Sequence, residues 1–150
     1  MCPTDLYVLH ELGVCSYELG NFNVALDWWT RGLSIAKEFV TRAPERIRFI
    51  RLFHIGLGHG YRKHKRWNES IVSFQNAIKL SNPSDGDSLD SASSSGADAY
   101  TGLGYVYHAQ GNLSTAINQY LKSLALDPAN TIVQDFLDMA HMDVFTRDRL

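Results

Sequence analysis

The 150-residue sequence has few of the features that mark several classes of protein. Its two cysteines, Cys2 and Cys15, form no CxxC pair, so neither a disulfide framework nor a zinc knuckle is indicated. No apolar run approaches the roughly 18 residues of a membrane span, and the first residues lack the basic start of a secretory signal. A net charge of -2 provides no broad basic field for nucleic acid. We predict a soluble, intracellular protein that binds neither membranes nor nucleic acid.

Internal repetition is the main positive feature of the sequence. A Leu-Gly pair occurs at 12–13, 57–58 and 103–104, and each glycine is followed twelve residues later by a small residue and four further on by an aromatic one. The small residues are Ala25, Ser70 and Ala116, and the aromatic ones are Trp29, Phe74 and Tyr120. This spacing is typical of the tetratricopeptide repeat, a 34-residue helix-turn-helix unit. We predict an all-α, right-handed superhelix of three such repeats plus a C-terminal capping helix.

The repeat spacing also predicts how a single domain, 1–150, is divided. The repeats should span 6–39, 51–84 and 97–130, and a capping helix should span 131–146, where Asp138 replaces the glycine of a fourth unit. Two insertions, 40–50 and 85–96, separate the repeats. In the first insertion, Pro44 suits the first turn of a helix, with Glu45 at the positive end of its dipole. The stretch 84–96 is so rich in Ser, Asp and Gly that we expect a flexible loop, more simply a solvated linker than a phosphorylation site.

Turn residues separate the two helices of each unit. Gly20-Asn21 and Gly111-Asn112 supply a residue that tolerates a positive φ, followed by a side chain that can cap the next helix. In the second unit, Lys65-Arg66 occupies these places. We therefore predict a differently shaped turn in that unit.

Catalytic and metal-binding motifs are weak. The glycine-rich run 56–60 lies within a helical pattern, and its Gly-Leu-Gly recurs at 102–104 in the same register, which indicates packing and not phosphate binding. His54, His59 and His64 are spaced five apart, so successive rings point about 140° apart around a helix and do not share a zinc-binding face. We predict no enzymatic activity, no metal and no cofactor.

The first helices of stacked repeats should line a concave groove. Its wall combines aromatic, histidine and charged side chains, which suits an extended or helical peptide. The candidate groove residues are Tyr7, His10, Val14, Tyr17, Ile55, His59, Arg62, Lys63, Thr101, Tyr105, His108, Asp135 and Met139. We hypothesise that Gly56 and Gly102 make room there for a ligand side chain. A generic adaptor, for example a chaperone-associated one, is the alternative, although Asp98 stands where a carboxylate clamp needs a cation.

Longer strings carry a more specific resemblance. LHELGV at 9–14, LGHGYRKHKRW at 57–67 and GYVYHAQGN at 104–112 resemble the C-terminal repeats of a scaffold subunit of the anaphase-promoting complex, the cell-cycle ubiquitin ligase. The subunit meant is the one that binds the complex's small helical accessory subunit. The resemblance implies a non-catalytic scaffold within a longer superhelix, with that accessory subunit and neighbouring repeat subunits as partners, in the nucleus and cytoplasm. Within these strings, His59, Arg62, Lys63, Tyr105 and His108 would contact the accessory subunit.

Overall fold

Seven α-helices make up the part of the chain that the structure describes. The computed structural model describes residues 5–38, 44–81 and 89–149, and only the backbone of 89–94. The helices are α1 Leu6–Glu18, α2 Phe22–Glu38, α3 Pro44–Lys63, α4 Trp67–Lys79, α5 Leu89–Ala109, α6 Leu113–Leu126 and α7 Thr131–Arg147. No strand occurs in these ranges. The predicted all-α fold class is therefore confirmed.

The helices pack in two layers. Each helix contacts the next along the chain, and α1, α3, α5 and α7 also contact one another in succession. The odd-numbered helices therefore form one continuous layer, which becomes the inner wall of the superhelix. Residues 39–43 and 82–88, which include parts of both predicted insertions, lie outside the described residues.

Aromatic rings seated on glycines hold the units together. The indole of Trp29, 3% exposed, lies against Gly13 of α1 and Gly56 of α3, and its Nε1 donates a hydrogen bond to the carbonyl oxygen of His10 at 3.4 Å. A Cβ added at Gly56 would lie 2.6 Å from Trp29 Cδ2, closer than two non-bonded carbon atoms approach. Glycine is required here because the ring of one unit occupies space beside the backbone of two units.

The next junction repeats this arrangement. Phe74 is fully buried against Gly58 of α3 and Gly102 of α5. The hydroxyl of Ser70 donates to the carbonyl oxygen of Gly58 at 2.7 Å, as expected where two helices approach closely. Trp29 and Phe74 fill the space that a side chain at Gly56 or Gly102 would take, so packing between the units requires both glycines. Gly56 also lines the larger cavity of the inner wall, and the hypothesis that these glycines make room for a ligand side chain stays a prediction.

The three intra-repeat turns have the same shape. Gly20 and Gly111 adopt positive φ values of 80° and 77°, and Lys65 adopts 57° at the corresponding place. In the second unit the backbone N–H of Arg66 donates to the carbonyl oxygen of Tyr61, just as the first and third turns are closed. The prediction of a different turn at Lys65 is wrong, because the packing of α3 on α4 imposes the left-handed conformation on a residue that rarely adopts it.

The two insertions extend the inner helices. The prediction for Pro44 is confirmed, since α3 begins at this residue. The flexible loop predicted at 84–96 is wrong from residue 89 onward, because α5 begins at Leu89. Gly96 is buried, and a Cβ there would lie 3.2 Å from Leu126 Cδ1, so this part of α5 packs closely on α6. Tertiary packing stabilises a helix that the polar composition does not favour.

Candidate functional site

The larger cavity of the inner wall lies between the first helices of the three units. This first compartment has a volume of about 480 Å³. The candidate residues that line it are His10, Val14, Tyr17, Ile55, His59 and Arg62. Helical spacing brings these side chains to one face, because α1 and α3 both point the same part of their surface inward. Exposed Glu18 and Asp98 line the same space, so the compartment carries both signs of charge.

Arg62 connects all three units across this wall. Its Nη2 donates a hydrogen bond to the hydroxyl oxygen of Tyr17 at 3.3 Å, and its guanidinium carbon lies 4.1 Å from the centroid of the Tyr105 ring. Cation–π contact of this kind fixes the guanidinium plane. The Nε atom of Arg62 is buried and has no acceptor within the part of the chain that the structure describes. The side chain is thus held in place by α1 and α5 while one of its donors stays unused.

Burial governs the protonation of the groove residues near Arg62. Desolvation lowers the pKa of His59 to about 4, and the positive charges of Arg62 and Lys63 act in the same direction. Its ring packs edge-on against Phe74 with centroids 5.0 Å apart. Desolvation also raises the pKa of Tyr17, although Arg62 opposes this shift. His59 is therefore neutral at pH 7, and it contributes an apolar ring and a hydrogen-bonding nitrogen, not a charge.

A second compartment, smaller and more apolar, lies toward α7. It has a volume of about 180 Å³. Its lining consists of Tyr105, His108, Ala109, Tyr120, Phe136 and Met139. At its edge, His108 Nε2 lies 2.7 Å from Asp143 Oδ2, so the end of α5 is tied to α7. Tyr120 stacks on Phe136 with centroids 5.9 Å apart and forms the floor.

Four candidate groove residues lie outside both compartments. Tyr7 is 62% exposed at the start of α1, and Asp135 is exposed on α7. The ammonium of Lys63 lies beside the first compartment, 5.8 Å from the ring centroid of Tyr17. Thr101 hydrogen bonds to Ser123 at 2.8 Å and to the carbonyl oxygen of Ala97 at 3.0 Å, so its hydroxyl serves the contact between α5 and α6.

Sequence reasoning did not assign Tyr120 and Phe136 to the groove. Both residues nevertheless form the floor of the second compartment. A signal was available: Phe136 occupies the repeat position held by Gly56 and Gly102 in the preceding units. An aromatic ring from the preceding unit lies directly on Gly56 and on Gly102. The side chain of Phe136 leaves no room for such a contact, and its own ring lines the cavity.

Two other kinds of site receive no support from the described residues. No three His, Cys, Asp or Glu side chains in the described ranges come together as metal ligands. Nor is any helix in these ranges long and apolar enough to cross a membrane.

Comparison with known proteins identifies the architecture. The tetratricopeptide-repeat family model matches residues 97–130, which contain α5 from Ala97 onward and all of α6. The first TPR domain of the human RPAP3 protein superposes with a TM-score of 0.72 over 96% of this chain and 95% of that domain, at 18% identity. The fold is a tetratricopeptide-repeat superhelix. The inner wall described above is therefore the concave surface of a TPR domain.

Two relatives share sequence similarity with most of the chain. This TPR domain is 32% identical to anaphase-promoting complex subunit 6 of Arabidopsis thaliana over 95% of the chain. It is 26% identical to anaphase-promoting complex subunit CDC16 of Saccharomyces cerevisiae over 87% of the chain. The chain spans 23% of the first relative and 14% of the second. The TPR domain is thus homologous to a limited part of these subunits.

Proposed function

We propose that this chain acts as a non-catalytic TPR scaffold of an anaphase-promoting complex, in the manner of the subunit 6 and CDC16 relatives. The similarity to the Arabidopsis subunit carries the proposal, because it extends over 95% of the chain at 32% identity. It includes the stretch of α3 that holds His59, Arg62 and Lys63. Such a scaffold would work in the nucleus and cytoplasm beside other TPR subunits.

The proposed partner is the small helical accessory subunit of that complex, bound along the concave surface. The first compartment offers mixed polar and aromatic side chains, and the second offers an apolar floor. A segment that begins extended and continues as a helix can present backbone groups to the first compartment and apolar side chains to the second. Aromatic residues and arginine at the centre of the surface are typical of strong binding positions.

Affinity capture tests this proposal. The tagged chain is expressed in cells of its source organism, and copurifying proteins are identified by mass spectrometry. We expect other subunits of the complex, including the small accessory subunit, and expect recovery of the accessory subunit to fall at least tenfold with Tyr105→Ala or His59→Ala. Val72→Ala, at a 54% exposed position on the outer helix α4, is the matched control and should leave recovery unchanged.

The results separate two parts of the proposal. If the parent chain recovers no subunit of the complex, the functional assignment is wrong. If both groove variants recover the accessory subunit as well as Val72→Ala does, the partner binds elsewhere. Thermal unfolding of each variant checks that a loss of binding is not a loss of fold.

A further inference from the structure

The side chains of Arg62, Tyr105 and Phe136 form a row along the boundary between the two compartments. Arg62 lines the first compartment, and its guanidinium carbon lies 4.1 Å from the centroid of the Tyr105 ring, which lines the second. The Tyr105 ring in turn lies 6.0 Å from that of Phe136 on the floor of the second compartment. This row has a cation, Arg62, at one end. At its other end lies the second compartment, which we call the apolar cup.

The cation at this divide lacks an anionic partner. Arg62 forms no ion pair with an Asp or Glu of the described ranges, and its Nε has no hydrogen-bond acceptor. Among the described residues, its one side-chain hydrogen bond is to the neutral hydroxyl of Tyr17. Glu18 and Asp98 line the same compartment, but both are exposed to solvent. A partly buried guanidinium in this state binds a carboxylate strongly, because the hydrogen bonds are charge-assisted and replace lost hydration.

The apolar cup is suited to one side chain. Its volume is about 180 Å³, and its floor is the stacked pair of Tyr120 and Phe136. Met139, 56% exposed, forms one wall, and an unbranched thioether can adjust to ligands of different shape. Ala109 forms another wall and leaves the opening wide.

We infer that the concave surface recognises a two-point peptide motif: an Asp or Glu carboxylate bound by Arg62, and a single large apolar side chain in the cup. The inference rests on the proposed use of this surface for peptide binding, and it specifies the ligand's chemistry. Through Tyr105, the guanidinium carbon of Arg62 lies within about 10 Å of the Phe136 ring, a distance that an extended peptide spans in about three residues.

Peptide selection tests the motif without assuming the identity of the partner. A phage-displayed library of random 12-residue peptides is selected on the purified chain, and enriched sequences are synthesised with a fluorescent label for anisotropy measurements. We expect the enriched peptides to share an acidic residue and a Leu, Met or Phe about three positions away. A library with no such shared pair would overturn the inference.

A double-mutant cycle then assigns each point of the motif. Replacing the acidic residue of the peptide by its amide should weaken binding to the parent chain at least tenfold, whereas Arg62→Gln should bind both peptides equally. The matched control is Arg31→Gln, at an exposed arginine of α2, which should behave as the parent chain does. Arg62→Lys should restore part of the effect, since it keeps the charge without the planar fork. Ala109→Leu should abolish the preference for the apolar residue by filling the cup.

Two outcomes contradict the assignments directly. Equal loss on amide substitution in the parent and in Arg62→Gln would show that the acid binds elsewhere. Undiminished affinity of Ala109→Leu for the apolar peptides would exclude the cup. Because the peptides come from a random library, either outcome can occur whether or not the chain captures subunits of the anaphase-promoting complex.

Discussion

The inner junctions and the terminal junction of the stack use the same aromatic position in different ways. Trp29 and Phe74 each lie between two glycines, one from their own unit and one from the next. Tyr120 lies against Gly104 of its own unit. At the place of the second glycine stands Phe136, whose ring stacks on that of Tyr120. The inner rings are therefore sealed by backbone, whereas the terminal ring is covered by another side chain. One position in the repeat thus decides whether a junction is closed tightly or leaves a cup.

The largest expected difference between the junctions concerns their rings. Phe74→Ala should lower the free energy of unfolding by about 3 to 5 kcal/mol, because it leaves a cavity between two rigid glycine-bearing helices. Phe136→Ala should cost only about 1 to 2 kcal/mol, since Phe136 is partly exposed and its loss widens a cup that water already reaches. Urea denaturation of both variants checks this, and equal losses would contradict the distinction.

Added volume at the inner junction should have the next largest effect. Gly102→Ala places a methyl group inside the ring of Phe74, and overpacking of this kind costs about 1 to 3 kcal/mol. Gly96→Ala in the same helix is the matched control, because its Cβ would meet the flexible end of Leu126 at 3.2 Å. The control should be close to neutral, since alanine favours the helix. Stability measured at Gly102→Ala equal to that of the control would refute the tight seal.

Acid should weaken the inner junction through His59. Between the usual pKa of 6.5 and the folded value of about 4, the unfolded chain binds a proton that the folded chain does not. The free energy of unfolding therefore falls as the pH drops through this window, by about 1.4 kcal/mol per pH unit for one such group. His54, whose pKa burial also lowers to about 4, adds to the same trend.

Replacement of His59 isolates its share of this pH dependence. In His59→Gln, the slope of the unfolding free energy against pH between 4 and 6.5 should fall by about 1.4 kcal/mol per pH unit, the contribution of one bound proton. Urea titrations at several pH values measure the slope, and an unchanged slope would show that the folded state does not exclude the proton.

The smallest effect should come from the turn of the second unit. Lys65→Gly should raise the free energy of unfolding by up to about 1 kcal/mol, because glycine adopts the φ of 57° without strain, although it gains entropy in the unfolded chain. Gly20→Ala provides the reverse test, since it has a φ of 80° and no atom within 4 Å of an added Cβ, so any loss arises from the backbone alone. A destabilised Lys65→Gly would mean that the lysine side chain stabilises the turn.

Local spacing in the sequence was sufficient to predict the fold, because the Leu-Gly pairs and the aromatic residues are both repeat positions and packing positions. It was not sufficient where contacts between units decide the outcome. The polar composition of residues 89–96 predicted a loop, but this stretch is helical and packs on α6 at Gly96. The contact of Trp29 with Gly56 was not predicted, because nothing in the local pattern shows that the ring reaches across to the next unit.

The groove shows the same limit. Arg62 and Tyr105 were both placed on the concave wall from their repeat positions. Their direct contact joins residues far apart in the sequence and depends on the curvature of the stack. The division of the wall into two compartments therefore follows from the assembled superhelix and not from any single repeat.

The seating of Trp29 has a consequence for where this polypeptide can be cut. The sequence repeat ends after α2, but the Trp29 indole on α2 packs against Gly56 of α3 as well as against Gly13 of α1. A segment ending at that border would expose a bare tryptophan face to water, which invites self-association. Neighbouring units should thus melt together instead of one at a time, as nearest-neighbour coupling in a linear array requires. The cooperative folding unit is therefore offset by one helix from the repeat that the sequence spacing defines.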